Sequence, residues 1–221
     1  MPNELYFNTV TPILSNALSK LMEEEVFMPF RLVGGTSLSL RFGHRVSDDI
    51  DLFTDAPYGS LDFNVLENNL RQLFPYYDCS DTSGIVGFGR MYYVGLNVDH
   101  LVKLDLFYTD PFFDAAQVIN GIRFASVEQI AAMKMQAIDT GGRKKDWWDI
   151  DLLLEYYSLS ELLAFHEKWQ PFTHNTESLL EKLTDFSKAD DYPDPRCLRN
   201  KDWNRIKLNI IRQVKNISPA R

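Results

Sequence analysis

The amino-acid sequence predicts an α+β protein with a mixed α/β N-terminal half and a helical C-terminal half. Up to about residue 108, short apolar segments typical of strands are interleaved with amphipathic stretches. Beyond residue 125 the pattern changes to helical periodicity. The chain has 221 residues, 45% of them hydrophobic, and is long enough to bury a substantial core. We therefore expect an α/β half over residues 1–125 and a helical half over residues 126–221.

The first 75 residues predict alternating helices and strands. Helices are predicted over residues 8–27, 36–42 and 61–73, and short strands over residues 30–33 and 49–53. From about residue 76 to residue 108 the sequence is rich in β-forming residues. Glycines mark turns or bulges within that segment, at positions 84, 87, 89 and 95.

Helix signals organise the C-terminal half. Ser126 and Gln129 have the spacing of a capping box that opens a helix, and Gly141-Gly142 closes it. A second helix is predicted over residues 144–157, and further helices fill the remainder. The sequence DDYPDP at 190–195 predicts a turn or linker before a basic end.

The composition excludes several classes of protein. No apolar run approaches the roughly 20 residues that a membrane helix needs, so no membrane partner is expected. The first ten residues lack the basic-then-apolar pattern of a secretory signal, which favours a cytoplasmic location. Cys79 and Cys197 are far apart and lack neighbours at metal-ligand spacing, so we expect free thiols.

The formal net charge of −8 is distributed unevenly along the chain. Residues 196–221 carry eight Lys or Arg residues against Asp202 alone, a net +7, which leaves −15 on residues 1–195. One interpretation is a basic helix that packs on an acidic body. The other is a basic surface for a phosphate-bearing partner.

Three aspartates on predicted strands give the first chemical signal. In the segment DIDLF at 49–53, Asp49 and Asp51 share one face of the strand because side chains alternate. Asp105 repeats the arrangement between two leucines. If the two strands are neighbours, three carboxylates converge on one patch, where Mg²⁺ would relieve their mutual repulsion. The alternative is three solvated carboxylates at strand ends.

A glycine turn upstream supplies groups suited to phosphate. Gly34 and Gly35 lie between a predicted strand and a predicted helix, and Ser37 follows. Glycines let backbone N–H groups approach a phosphate closely, and a helix N-terminus adds partial positive charge. Followed by an acidic strand, the turn suggests a nucleotide site, although a Gly-Gly turn alone is usually only a turn.

Two charged residues fall on apolar helix faces in the C-terminal half. At 100° per residue, Lys134 lies at the centre of the apolar arc of its helix, and Asp146 lies within that of the next helix. Asp149 falls at the boundary and Asp151 is predicted to face outward. Lys134 and Asp146 are therefore site candidates. Alternatively they form a buried ion pair with each other, or Asp146 caps its helix.

The string VGGTSLSLRFGHRVSDDIDLF at 33–53 closely resembles the first motif of AbiEii-type nucleotidyltransferases, which belong to the polymerase-β-like superfamily and include toxins of toxin–antitoxin and phage-defence systems. The segment around Asp105 resembles the strand with the third carboxylate. Lys134 resembles the motif lysine, and Arg143 to Asp146 the Arg-x-x-Asp segment. The resemblance covers roughly residues 30–155 and implies the minimal nucleotidyltransferase fold, a mixed sheet flanked by helices, with the helical half completing the active-site cleft.

The resemblance implies transfer of a nucleoside monophosphate from an NTP to an acceptor, with pyrophosphate leaving. Asp49 and Asp51 would hold Mg²⁺ (or Mn²⁺), and Asp105 would complete the metal site or act as a base. Lys134 would meet the triphosphate, and Asp146 would orient Lys134 or act as a base. The remaining residues would grip or line the phosphate site, with Arg143 contacting acceptor or phosphate: Gly34, Gly35, Ser37, Ser47 and Arg143.

The implied acceptor is RNA such as tRNA or another macromolecule, and a cognate antitoxin is an implied partner. Two other functions remain open. The first alternative is a related transferase that modifies a small molecule or transfers a phosphoryl group. The second is a non-catalytic nucleotide-binding module.

Overall fold

Within residues 4–79 and 87–217, the part of the chain that the computed structural model describes, seven strands form one mixed sheet. They are β1 (Arg31–Leu32), β2 (Asp49–Thr54), β3 (Tyr76–Cys79), β4 (Gly89–Asn97), β5 (His100–Tyr108), β6 (Gln117–Ile119) and β7 (Ile122–Phe124). Their order across the sheet is β3-β4-β5-β2-β1-β7-β6. β2 runs parallel to β5, and β1 runs parallel to β7, whereas the other neighbours are antiparallel. The predicted α+β class with a mixed sheet is confirmed.

Among the helices of the described residues, the first three alternate with strands along the chain, and the remaining six follow the last strand. They are α1 (Pro12–Glu23), α2 (Gly34–Phe42), α3 (Phe63–Leu73), α4 (Val127–Asp139), α5 (Lys144–Leu153), α6 (Leu159–Trp169), α7 (Thr176–Thr184), α8 (Ser187–Asp190) and α9 (Trp203–Ile217). The chain divides into two compact units. The first comprises residues 1–43 and 47–126, and the second comprises residues 44–46 and 127–221.

Most predicted elements exist, but their ends differ. The helix predicted over residues 8–27 is α1 with a short 3-10 turn on each side, because Pro12 and the Thr11 cap start the helix later. The helix predicted from residue 36 begins at Gly34, and α5 ends at Leu153 instead of residue 157. The hairpin of β6 and β7 was not predicted. Of the predicted glycine turns, the one at position 84 lies outside the described residues.

One face of the sheet forms the core of the first unit. In β2, Ile50 and Leu52 are fully buried, whereas the residues that alternate with them are partly exposed. In β5, Leu104 and Leu106 follow the same pattern. α1 and α3 supply the apolar side chains of this cluster. The opposite face of β2 and β5 therefore carries the partly exposed residues.

Aromatic rings organise the core of the second unit. Trp203, at the start of α9, stacks on Trp148 with ring centroids 5.6 Å apart and meets Trp147 and Phe186 edge-on. Further along α9, buried apolar residues continue the same face: Ile206, Ile210 and Val214. The basic C-terminal segment is thus anchored by an apolar face of its own.

Cys79 and Cys197 are not joined in a disulfide bond, as predicted. Among the helices of the described residues, none combines the length and the apolar character that a bilayer crossing requires.

We predict that Trp203→Ala lowers the free energy of unfolding by about 3–5 kcal/mol, because it empties the space among three other aromatic rings. Leu208→Ala is the matched control, since Leu208 lies on the same helix but is 63% exposed. Its effect should stay within about 0.5 kcal/mol. Chemical denaturation followed by tryptophan fluorescence and circular dichroism measures both. Equal effects of the two substitutions would show that α9 is not part of the core.

Candidate active site

The carboxylates predicted on the strands share one face of the sheet in the first unit. β2 and β5 pair in parallel register, which sets Asp51 directly beside Asp105. Asp49 lies two residues earlier on β2 and on the same face, opposite Lys103. All three aspartates are partly exposed, whereas the residues between them are buried. The register thus sets the three aspartates in neighbouring positions, as the alternation in the sequence predicts.

Asp105 has one satisfied and one unsatisfied oxygen. Its Oδ2 accepts a hydrogen bond from the Lys103 ammonium. Its Oδ1 is buried and has no hydrogen-bond partner among the described residues. A buried carboxylate oxygen without a partner is costly, and a cation would relieve that cost. Within residues 4–79 and 87–217, however, no three His, Cys, Asp or Glu side chains are gathered at metal-binding spacing.

The glycine turn lies directly against this carboxylate face. The backbone N–H of Val33 donates to the carbonyl of Asp51 at 2.9 Å, and α2 begins at the next residue. Gly34 has a φ of +68°, and a Cβ at this position would overlap Oδ2 of Asp51. Both the backbone conformation and the steric contact require glycine here.

Hydroxyl groups surround the first turn of α2. Val33 precedes this turn and has no side-chain acceptor, so the helix lacks a side-chain cap there. Thr36 donates to the backbone carbonyl of Asp49 and lies 2.9 Å from Ser47 Oγ. The Ser37 hydroxyl is buried and has no hydrogen-bond partner among the described residues. A phosphate oxygen would satisfy both the helix N–H groups and this hydroxyl.

In the second unit, Lys134 is a buried cation held by two carboxylates. Its ammonium nitrogen lies 2.7 Å from Asp146 Oδ1 and 2.7 Å from Asp149 Oδ2. Burial alone would lower the pKa of Lys134, but Asp146 and Asp149 outweigh it and raise that pKa. Lys134 therefore stays charged. Two of its three N–H donors point at carboxylates, which leaves the third for another acceptor.

Asp149 is the centre of this ionic cluster. Arg45 grips both of its oxygens, Nε at 2.7 Å and Nη2 at 2.9 Å, and His44 Nε2 lies 2.8 Å from Oδ1. With Lys134, four contacts occupy the acceptor sites of one fully buried carboxylate. Although burial opposes ionisation, Arg45 and Lys134 hold the pKa of Asp149 well below its usual range. Asp149 therefore has a structural role.

His44 and Asp146 complete the cluster. Burial lowers the pKa of His44 despite the nearby Asp149, so its ring is neutral near pH 7. Burial opposes ionisation of Asp146 as well, but Lys134 makes the net pKa shift of Asp146 downward. Asp146 Oδ2 also accepts from the backbone N–H of Arg143 at 2.9 Å, which caps α5. Both alternatives to a catalytic role are thus present: Asp146 forms an ion pair with Lys134 and caps α5. The Arg143 side chain is exposed.

The prediction that Asp151 faces outward is wrong. Asp151 is only 2% exposed, because α9 packs against this side of α5. Asn209 Nδ2 donates to its Oδ1 at 2.6 Å, and Lys201 donates to its Oδ2. The helical wheel of α5 contains no information about a helix that begins 50 residues later.

Three residues that contact the candidate site residues were not predicted from the sequence: Thr36, His44 and Arg45. Thr36 lies inside the quoted motif, and its position directly before Ser37 was the available signal. His44 and Arg45 lie in a connection between elements, where no periodicity predicts burial. Their sequence distance from Asp149, 104 residues for Arg45, leaves no local signal for the contact.

Solved structures similar to this chain define the fold as that of nucleotidyltransferases. "MenT4, nucleotidyltransferase toxin Rv2826c" from Mycobacterium tuberculosis H37Rv has a TM-score of 0.59 at 14% identity, covering 93% of this chain and 84% of that one. JHP933 from Helicobacter pylori has a TM-score of 0.58 at 21% identity, covering 92% and 88%.

The family model described as "Nucleotidyl transferase AbiEii toxin, Type IV TA system" matches residues 16–219. The chain therefore belongs to the AbiEii nucleotidyltransferase toxin family, which confirms the resemblance found in the sequence. It is also 32% identical over 143 residues to "Uncharacterized protein aq_aa25" of Aquifex aeolicus (strain VF5). That alignment covers 62% of this chain and 64% of the relative, slightly less than two thirds of its length.

We predict that Asp149→Asn lowers the free energy of unfolding by about 3–5 kcal/mol near pH 7, because Arg45 and Lys134 lose a buried counter-charge. Asp191→Asn, at an exposed aspartate of the same unit, is the control and should change it by no more than about 0.5 kcal/mol. Urea unfolding at pH 7 measures both variants. A similar small effect of both substitutions would contradict a central role of Asp149.

The same variant changes the pH dependence of stability. The pKa of Asp149 is lower in the folded than in the unfolded chain, so its contribution is complete above the unfolded value of about 3.9 and is lost as the pH falls below it. Stability of the unsubstituted protein should thus fall steeply below about pH 4, and Asp149→Asn should flatten that limb. Folding also lowers the pKa of His44, so the stability linked to this histidine starts to fall at a higher pH, below about 6.5.

Proposed function

We propose that this protein transfers a nucleoside monophosphate from an NTP to an acceptor hydroxyl. The acceptor oxygen forms a bond to the α-phosphorus, the bond between the α-phosphorus and the bridging oxygen breaks, and pyrophosphate leaves. The hydroxyl proton passes to a carboxylate. The observation that carries the proposal is the position of Gly34 directly against Asp51, beside Asp105, in a chain of the AbiEii family.

Asp49, Asp51 and Asp105 would hold the divalent cation, Mg²⁺ or Mn²⁺. Carboxylate oxygens are the donors that these cations prefer, and the unpartnered Oδ1 of Asp105 fits a cation ligand. When bound, such a cation supplies positive charge that neutralises the developing charge on the phosphates. Like charges on directly paired strand residues otherwise repel, which is a second reason to expect a cation here.

The first turn of α2 would bind the triphosphate. Gly34 and Gly35 let backbone N–H groups approach phosphate oxygens, and the buried Ser37 hydroxyl supplies a further donor. Ser47 would line the same site through its contact with Thr36. In the second unit, Lys134 would offer its third N–H to an anion, and the exposed Arg143 would contact phosphate or acceptor.

The two candidate bases differ in their surroundings. Asp146 is held by Lys134 and by the backbone of Arg143, and these contacts keep its pKa low. A weakly basic carboxylate that already accepts two hydrogen bonds is better suited to orient Lys134 than to accept a proton. Asp105 has an oxygen without a partner among the described residues and lies beside Asp51. Asp105 would therefore either complete the cation site or accept the proton, and Asp146 would position Lys134.

We propose RNA, such as tRNA, as the acceptor because of a basic stripe along α9. Several cations near the C-terminus serve packing: Arg199 and Lys201 pair with Glu155, and Lys207 pairs with Asp190. Arg205, Arg212 and Lys215 remain exposed, and their spacing puts them on one face of α9, opposite the buried face. The packing interpretation of the basic end fits the first three residues, and the interpretation as a phosphate-binding surface stays a proposal for the other three. Such a stripe suits a phosphate backbone.

The family description names a type IV toxin–antitoxin system, so we propose that a cognate antitoxin is a partner of this chain. Modification of a small molecule, phosphoryl transfer and non-catalytic nucleotide binding remain the competing functions. Labelled NTPs separate phosphoryl transfer and non-catalytic binding from nucleotidyl transfer to RNA.

We predict that Asp51→Asn and Asp105→Asn each reduce Mg²⁺-dependent transfer of label from α-³²P-NTP to RNA by at least about 100-fold. Removal of either carboxylate weakens the cation site, while circular dichroism should show an intact fold. Asp78→Asn is the control, since Asp78 is an exposed aspartate on β3 of the same sheet. Label transferred from γ-³²P-NTP would indicate a kinase, and full activity of both variants would refute the assigned carboxylates. NTP binding without turnover would favour the non-catalytic module.

We predict that Arg212→Gln with Lys215→Gln weakens binding to a tRNA transcript and flattens its salt dependence. The slope of log K against log salt should fall by about 0.7–0.9 for each lost phosphate contact. Lys168→Gln with Lys188→Gln removes two exposed charges elsewhere in the second unit and should leave the slope unchanged. Filter binding at several salt concentrations provides the measurement. Equal slopes for the two double variants would rule out the stripe as an RNA contact.

A further inference from the structure

Two phenylalanines adjoin the carboxylates on the same face of the sheet. Phe53 and Phe107 are directly paired on β2 and β5, one step beyond the pair formed by Asp51 and Asp105. Their ring centroids are 5.9 Å apart at an interplanar angle of 53°. Both rings are only partly buried, although the core lies on the opposite face. An apolar surface therefore follows directly after the charged residues on this face of β2 and β5.

An arginine and a third ring border this surface. Arg31 on β1 is paired with Phe53, so its side chain emerges on the same face. Its guanidinium lies 4.3 Å from the ring centroid of Phe112, and its Nη1 donates to the carbonyl of Asp114 at 2.6 Å. The segment that follows β5 is thereby tied to β1 at the edge of the phenylalanine pair.

Three kinds of group follow one another along the strands. The hydroxyl-lined turn of α2 lies beside Asp49 and Asp51, through the bonds of Thr36 to the Asp49 carbonyl and of Val33 to the Asp51 carbonyl. The carboxylates come next and the rings last. Successive residues on one face of a strand are about 7 Å apart. That step corresponds to one ribose between an α-phosphate and a base.

We propose that Phe53 and Phe107 form the platform on which the nucleobase of the NTP stacks. The inference rests on the proposed function, since it takes the triphosphate to lie at the α2 turn and the α-phosphate at the carboxylates. A base attached through one ribose then reaches the rings. Stacking on an aromatic ring tolerates every base, because each base has a π-face. Arg31 borders the platform with a planar cation that also favours aromatic rings.

A cross-strand aromatic pair also stabilises a sheet, so the test must separate binding from folding. Phe53→Leu and Phe107→Leu, singly and together, keep an apolar side chain but remove the π-face. Phe88→Leu is the matched control: Phe88 is 74% exposed, and its ring contacts Tyr58 instead of the proposed platform. Circular dichroism and thermal unfolding establish that each variant is folded.

The measurement is calorimetric binding to the full chain in MgCl₂. The probes are the α,β-methylene analogues of ATP, GTP, CTP and UTP, and inorganic tripolyphosphate, which lacks a base. The double variant should bind the preferred nucleotide analogue at least about 5-fold more weakly and bind tripolyphosphate unchanged. Phe88→Leu should change neither.

Several outcomes overturn the platform. Unchanged nucleotide affinity in the double variant excludes the platform. This holds even if the double variant raises the Michaelis constant for the RNA acceptor, because the rings would then contact the acceptor and not the NTP. Equal weakening of nucleotide and tripolyphosphate would point to a disturbed phosphate site instead of a lost base contact. If the unsubstituted protein binds nucleotides no better than tripolyphosphate, the platform fails while the proposed function stands. If it binds neither probe, both fail.

Discussion

The pairing of two carboxylates on neighbouring strands is the constraint on which the candidate site of the first unit depends. Asp51 and Asp105 lie side by side because two parallel strands pair in one register, and a slip of one residue would turn a carboxylate into the apolar core. Lys103 offsets part of this negative charge. The turn at Gly34 approaches so closely that no side chain fits against Asp51. The glycine and the carboxylates therefore form one steric and electrostatic unit.

In the second unit, the charge of a buried carboxylate is compensated by neighbouring side chains. Asp149 is fully buried, yet Arg45, Lys134 and His44 satisfy both of its oxygens. Because each member of such a network depends on the others, the network holds Lys134 in a defined place. The lysine keeps its charge while two of its donors are fixed. A rigid cation with one remaining donor is well suited to meet an anionic ligand.

The sequence predicted the parts of the fold and site that depend on local patterns. Alternation along β2 placed Asp49 and Asp51 on the polar face, and helical periodicity identified Lys134 and Asp146 as charges within apolar arcs. It failed where distant segments meet. The helical wheel of α5 predicted Asp149 at the boundary of the apolar face and Asp151 in solvent, but both are buried. Their burial comes from His44, Arg45 and α9, which the wheel of one helix does not include. The hairpin of β6 and β7 was missed because three-residue strands carry little periodicity.

The pairing of distant segments has a consequence for biosynthesis. Asp105 cannot join Asp51 until β5 has left the ribosome, after α3, β3 and β4. Arg45 must wait longer still, because its partner Asp149 is 104 residues away. A nascent chain interrupted before α5 thus contains the glycine turn, the strand aspartates and Lys134, but lacks Asp146 and Asp149, which hold the lysine. Premature termination would release fragments with an incomplete set of charged groups.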